Sequence, residues 1–256
     1  MWNLIRSEVR KTRSTQVWMW MILPAVALTA LATIGKTYGS IQDHDNVNAP
    51  IRYYDIFTTS GGGSVALLVI GILGLTTEFR HKTITPTLLA IPKRWTLLTG
   101  KAVSYVLFAL FYAMVCLVVN FAIAIIWLQA DGIPVSFGHG VPGGVAKTFI
   151  ALVLTAVFGL GLGALVRNQA AAMVIGIFYF AIINGLLSAI PWVRHWIYPW
   201  TPGGAVDAFL SNGQRSSDLP DDVHLLAPLA GGLLFLGWTV ALLAAGGYFS
   251  LNRDIS

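Results

Sequence analysis

The chain has 256 residues, of which 56% are apolar and only 11% charged. A water-soluble domain of this size has no core large enough to hide so much apolar surface, so the bilayer is its natural solvent. The net charge of +5 is spread as a topology signal and not as a face for nucleic acid.

Residues 1–15, MWNLIRSEVRKTRST, set Trp2, Ile5 and Val9 near one helical face and Arg6, Arg10 and Arg13 on another. That pattern predicts an amphipathic helix lying at the membrane surface, although a frayed basic tail that fixes topology carries the same residues. Six transmembrane helices follow, at about 17–35, 57–77, 102–128, 147–166, 169–190 and 226–250. Each run is long enough to cross the roughly 30 Å hydrocarbon layer as a helix. Continuous apolar runs argue against a barrel, whose strands alternate. The fold expected is therefore an all-α membrane protein of one domain, 1–256, with no internal repeat.

Span one carries Trp18 and Trp20 near its start, as an interfacial belt would, and Pro24 is expected to kink it. Ala30-Leu31-Ala32 resembles a signal-peptide cleavage site, but the 19-residue run is longer than an ordinary signal core, so the span is expected to be retained. Span two opens with Ser60-Gly61-Gly62-Gly63-Ser64, small residues that let a neighbouring helix approach closely or that fray near the surface. In span four, Gly159, Gly161 and Gly163 fit helix packing, since no G-x-G-x-x-G is completed. After span five, "PWVRHWIYPWTPGGAVDAF" is too aromatic for an idle linker and predicts short outer helices dipping into the interface.

With both termini inside, eleven of the sixteen Lys and Arg fall on the inner segments, and eight of the eleven acids on the outer ones. This is the positive-inside asymmetry. Both termini are thus expected in the cytoplasm.

Catalysis finds no foothold. The five histidines stand singly, without metal-ligand spacing, and Cys116 is the only cysteine. No nucleophile motif occurs, and no acid lies inside a predicted span. Thr99-Gly100-Lys101 lacks the upstream glycine and the following Ser/Thr of a phosphate loop. No catalytic, cofactor-binding or metal-ligating residue is expected on this chain. Asn120 and Asn184 are the most polar mid-membrane side chains; they line a cavity or bond another helix.

Charge is concentrated instead in "TEFRHKTITPTLLAIPKRW", residues 77–95, between spans two and three. Thr85 as cap and Pro86 in the first turn start a short helix, and Pro92 ends it. Leu88, Leu89 and Ile91 form an apolar face flanked by basic groups. Such a face is costly in water. It rests on the bilayer, anchored by Lys93, Arg94 and Trp95, or it inserts into a partner's groove.

The stretch from Thr76 to Lys101 resembles the inner loop of ABC-2 type transporter permeases. That family has Glu-x-Arg near the end of the second span, a Thr-rich strip, "Leu-Leu-x-x-Pro", a basic pair and Gly-Lys at the third span. Glu78, Arg80, Thr83, Thr85, Leu88, Leu89, Pro92, Lys93, Arg94, Gly100 and Lys101 fit the pattern. The resemblance implies the transmembrane subunit of a bacterial exporter in the inner membrane. Two such subunits, identical or sister chains, would form the path above separate ATPase subunits that bind ATP and Mg. The loop would be a coupling helix between spans two and three, with Glu78, Arg80, Thr83, Thr85, Leu88, Leu89, Ile91, Lys93 and Arg94 as ATPase-coupling residues. Glu78 and Arg80 would pair with each other or with the N-terminal helix. Spans two and five would line the cavity, which makes Asn184 and Ser188 the substrate-path candidates. An aromatic, uncharged interior favours hydrophobic or amphipathic cargo such as a drug, peptide or lipid. A non-transporting scaffold or sensor, and an intramembrane enzyme, are the competing classes.

Overall fold

The structure is a computed structural model that describes residues 17–42, 50–81, 94–138, 140–211 and 224–252. The expected surface helix at 1–15 and the centre of the expected coupling helix, 82–93, lie outside these residues. No strand occurs among the described residues, and six helices there are long and apolar enough to cross a membrane. The chain is a multi-pass, all-helical membrane protein. One end of the bundle carries the 82–93 connection and is termed the loop end; the other, which carries residues 191–210, is the cap end.

The spans keep the expected order but several limits shift. Span one runs Ile22–Gln42, preceded by a single turn at Val17–Trp20. Pro24 has no N–H to give the preceding turn, so the chain breaks at Met21 and restarts with Pro24 in the first turn. The expected kink is a break. Span three is Arg94–Ala130, starting well before 102, and span four is Val141–Val166, starting before 147. Span five covers Gln169–Ala189, with one π-helical turn at Tyr179–Ile183. Span six is Pro228–Asn252.

Span two is discontinuous. A short helix, Pro50–Phe57, ends at Thr58, and the main helix is Gly61–Arg80. A helix end inside the bundle leaves carbonyls that water cannot reach. Asn120 Nδ2 donates to the Phe57 carbonyl at 3.0 Å, and the Thr148 hydroxyl is shared between the carbonyls of Gly144 at 3.0 Å and Thr58 at 3.3 Å. The Thr33 hydroxyl lies 3.0 Å from Asn120 Oδ1. Asn120 therefore ties spans one and three to the break, which is the helix-bonding role and not the cavity-lining one.

Spans two and four form the centre, and span five buries least of the six. Glycine sets the spacing. A methyl group on Gly71 would overlap the Ala156 carbonyl, and one on Gly159 would overlap that of Leu68. At Gly163 it would stand 2.8 Å from the Ile72 carbonyl oxygen. Gly161 faces span six, 2.9 Å from the Leu243 nitrogen by the same measure. Small residues let the backbones touch where lipid supplies no hydrophobic drive between helices. Gly62 likewise meets Leu28 of span one, so that part of the glycine run serves close approach.

At the cap end, Pro191–Trp196, Tyr198–Trp200 and Pro202–Leu210 are short helices, as the aromatic stretch predicts. Thr201 caps the last of them by accepting from the Gly204 N–H at 3.1 Å. That helix dips into the bundle, where Ala205 and Val206 share a core with Leu68, Ile72, Phe158 and Phe235. Its C-terminal carbonyls are taken by Lys147, at 2.8 Å from the Ser211 oxygen, and by the Tyr54 hydroxyl on Leu210. A cation at a helix C-terminus also suits the helix dipole.

Candidate functional site

The loop end gathers the site. Span two finishes with Thr76, Thr77, Glu78, Phe79 and Arg80. Both threonine hydroxyls bond back to the preceding turn, Thr76 to Ile72 at 2.8 Å and Thr77 to Leu73 at 2.7 Å. They are satisfied within their own helix. Glu78 turns sideways toward span three, where its Oε1 lies 2.9 Å from Lys101 Nζ. Lys101 is 1% exposed and Glu78 4%. A carboxylate in the last turn of a helix opposes the dipole there, and the Lys101 ammonium offsets that.

Two further links surround this pair. Arg80 Nη1 reaches Gln169 Oε1, at the start of span five, at 3.4 Å. Arg167, in the turn between spans four and five, donates to the Phe249 carbonyl of span six at 2.6 Å. The turn is tight because Arg167 takes a left-handed conformation, φ 59°, and Asn168 caps span five by accepting from the Ala171 N–H. The polar cross-links at this end thus run from span two to spans three and five, and from the 166–169 turn to span six.

Of the expected coupling residues, Thr83, Thr85, Leu88, Leu89, Ile91 and Lys93 lie outside the described residues. Arg94 is the first residue of the span-three helix. Glu78 and Arg80 are brought to the loop end but do not pair with each other: Glu78 meets Lys101 and Arg80 meets Gln169. The reason is geometric, since residues two apart on a helix point in different directions. The alternative pairing with the N-terminal helix falls on residues outside the described ones. Lys101 and Gln169 were legible only in part: Gly100-Lys101 belongs to the loop pattern, whereas Gln169 carries no signal of its own.

The substrate-path candidates sit at the other end. Asn184 packs so closely on the cap helix that a methyl at Gly203 would overlap it. Ser188 Oγ bonds the Gly185 carbonyl at 2.9 Å. Around Asn184, the Gly203 N–H donates to the Tyr179 hydroxyl at 3.3 Å, and the Tyr198 hydroxyl donates to Asp207. Burial first, then the Asp207 charge, pushes the Tyr198 phenol far above its ordinary value. It stays protonated and remains a donor. The π-helical turn of span five falls at this contact, where one extra residue re-aims Tyr179 and Asn184 toward the cap.

No group of three or more His, Cys, Asp or Glu among the described residues is placed to hold a metal. The histidines are not all single, however: the His195 and His224 rings lie 4.8 Å apart. Sequence spacing gave no sign of this, because His195 lies in the first cap helix and His224 just before span six. Compared with known proteins, the chain matches no family model and no curated protein.

Proposed function

We propose that this chain is the permease subunit of an ATP-binding cassette exporter in a bacterial inner membrane. The observation that carries the reading is the buried Glu78–Lys101 pair. It joins two members of the loop pattern across the stem of the 82–93 connection. A force on that connection then reaches spans two and three together, and Arg80 passes it to Gln169 of span five. Residues 82–93 act as the coupling helix, with Leu88 and Leu89 seated in a groove of the ATPase subunit and Lys93 at its rim. Residues 1–15 act as the interfacial helix, with both termini in the cytoplasm. ATP and Mg bind the partner ATPase, whose cycle shifts the permease between two accessible states. A second permease subunit covers the exposed side of span five, and the cargo is hydrophobic or amphipathic.

The test is purification of the tagged chain in mild detergent, with identification of co-purifying proteins, an ATPase assay and vesicle transport. A stoichiometric ATPase with turnover is expected, and the Leu88→Asp, Leu89→Asp double variant should lose it while still folding. A chain that purifies alone, or a double variant that keeps its ATPase and transports normally, would overturn the assignment. Isolation without any ATPase would favour the scaffold or sensor class.

A further inference from the structure

We infer that His195 and His224 form a two-histidine site for a borderline divalent ion, Cu2+ or Zn2+, on the cap face. His195 belongs to the helix Pro191–Trp196, and His224 stands just before span six at Pro228. The rings belong to two separate segments, yet their centroids are 4.8 Å apart with planes at 88°. Both side chains are exposed, so apolar packing does not account for the contact.

The spacing is that of two imidazoles on one ion. With metal–nitrogen bonds of about 2.0–2.1 Å, two ring centroids stand roughly 4.5 Å apart at a right angle and roughly 5.2 Å apart at the tetrahedral angle. The observed separation falls between these values. Perpendicular planes are compatible with it, because a ring is free to turn about its metal–nitrogen bond. Imidazole suits Cu2+ and Zn2+, and Cu2+ binds a given nitrogen site more tightly. Two protein ligands leave the other positions to water, so the site is weak and exchangeable, unlike a closed structural centre. Its effect is to clasp the cap's first helix to the approach to span six. This reading stands whether or not the chain exports anything.

Trp196 supplies the readout, since its ring lies 6.1 Å from that of His195 and bound Cu2+ quenches an indole so close. Full-length chain, purified in detergent without a histidine tag, is titrated with CuCl2 while tryptophan fluorescence is followed, then with ZnCl2 as competitor. Saturable quenching that Zn2+ reverses is expected. It should fall at least tenfold in apparent affinity in His195→Phe and in His224→Phe alike, which keep a ring but remove its nitrogens. Zn2+ should raise the melting temperature of the unaltered chain and of neither variant. Quenching that persists in either variant with affinity changed less than threefold overturns the site, as does an unaltered chain that shows no saturable quenching.

Discussion

Glu78 and Lys101 meet at 2.9 Å on the two helices that the 82–93 connection joins, each almost wholly shielded from water. Breaking a buried ion pair by removing one partner costs about 3–5 kcal/mol. Lys101→Met and Glu78→Leu should therefore each melt far below the parent chain in detergent. The double variant Glu78→Leu, Lys101→Met should recover most of the loss, because replacing both charges by apolar groups is close to neutral. Thermal unfolding of the four proteins measures this. Under the proposed function the double variant should fold, yet couple ATP turnover to transport poorly. That separates the pair's mechanical role from its structural one.

A second prediction contrasts two glycines. Gly71 faces the Ala156 backbone without room for a methyl, whereas a Cβ at Gly185 would meet nothing within 4 Å. Gly71→Ala must push spans two and four apart, and should lower folded yield sharply in size-exclusion chromatography. Gly185→Ala should elute and melt like the parent, or slightly above it, since alanine is the better helix former by about 1 kcal/mol.

Six spans were legible because hydropathy reports directly on what a bilayer accepts. Their limits were less so, and three of the shifts share one cause. A reading that stops each span at a charge ends span one before Lys36, starts span three after Lys101 and starts span four at Lys147. In the folded chain all three lysines lie inside the helices, since each ammonium finds a distant partner: Asp55 at 3.8 Å, Glu78 at 2.9 Å and the Ser211 carbonyl at 2.8 Å. A buried charge is tolerated when paired, and the pairing depends on the tertiary fold, which local hydropathy does not encode. The same holds for His195 and His224, one in the first cap helix and the other just before span six. Glycine packing, by contrast, could be read early, because Gly159, Gly161 and Gly163 completed no phosphate-binding motif and sat within an apolar run.

A third prediction follows from the break in span two. Asn120→Leu removes the donor that the Phe57 carbonyl receives at 3.0 Å, and leaves that oxygen unsatisfied among apolar groups. The expected loss is about 1–3 kcal/mol. Asn120→Gln, with the same amide on a longer stem, should recover only part of it. Thr33→Val should cost less than Asn120→Leu, because Thr33 touches the asparagine and not the open carbonyl. Chemical unfolding followed by circular dichroism ranks the three. Equal stability of Asn120→Leu and the parent would mean that the helix end needs no side-chain donor.

A final prediction concerns Arg167, which carries two features that substitutions can part. Its backbone is left-handed, φ 59°, a conformation that costs a side-chain-bearing residue roughly 1–2 kcal/mol. Its guanidinium holds the Phe249 carbonyl at 2.6 Å, in an exposed setting where such a bond contributes about 1 kcal/mol. Arg167→Ala loses the bond and keeps the strain; Arg167→Gly loses the bond and relieves the strain. The glycine variant should therefore be more stable than the alanine variant by about 1 kcal/mol, and close to the parent. Both should loosen the end of span six, seen as faster amide exchange around Phe249. If the glycine variant melted below the alanine variant, the turn would not be under strain at Arg167.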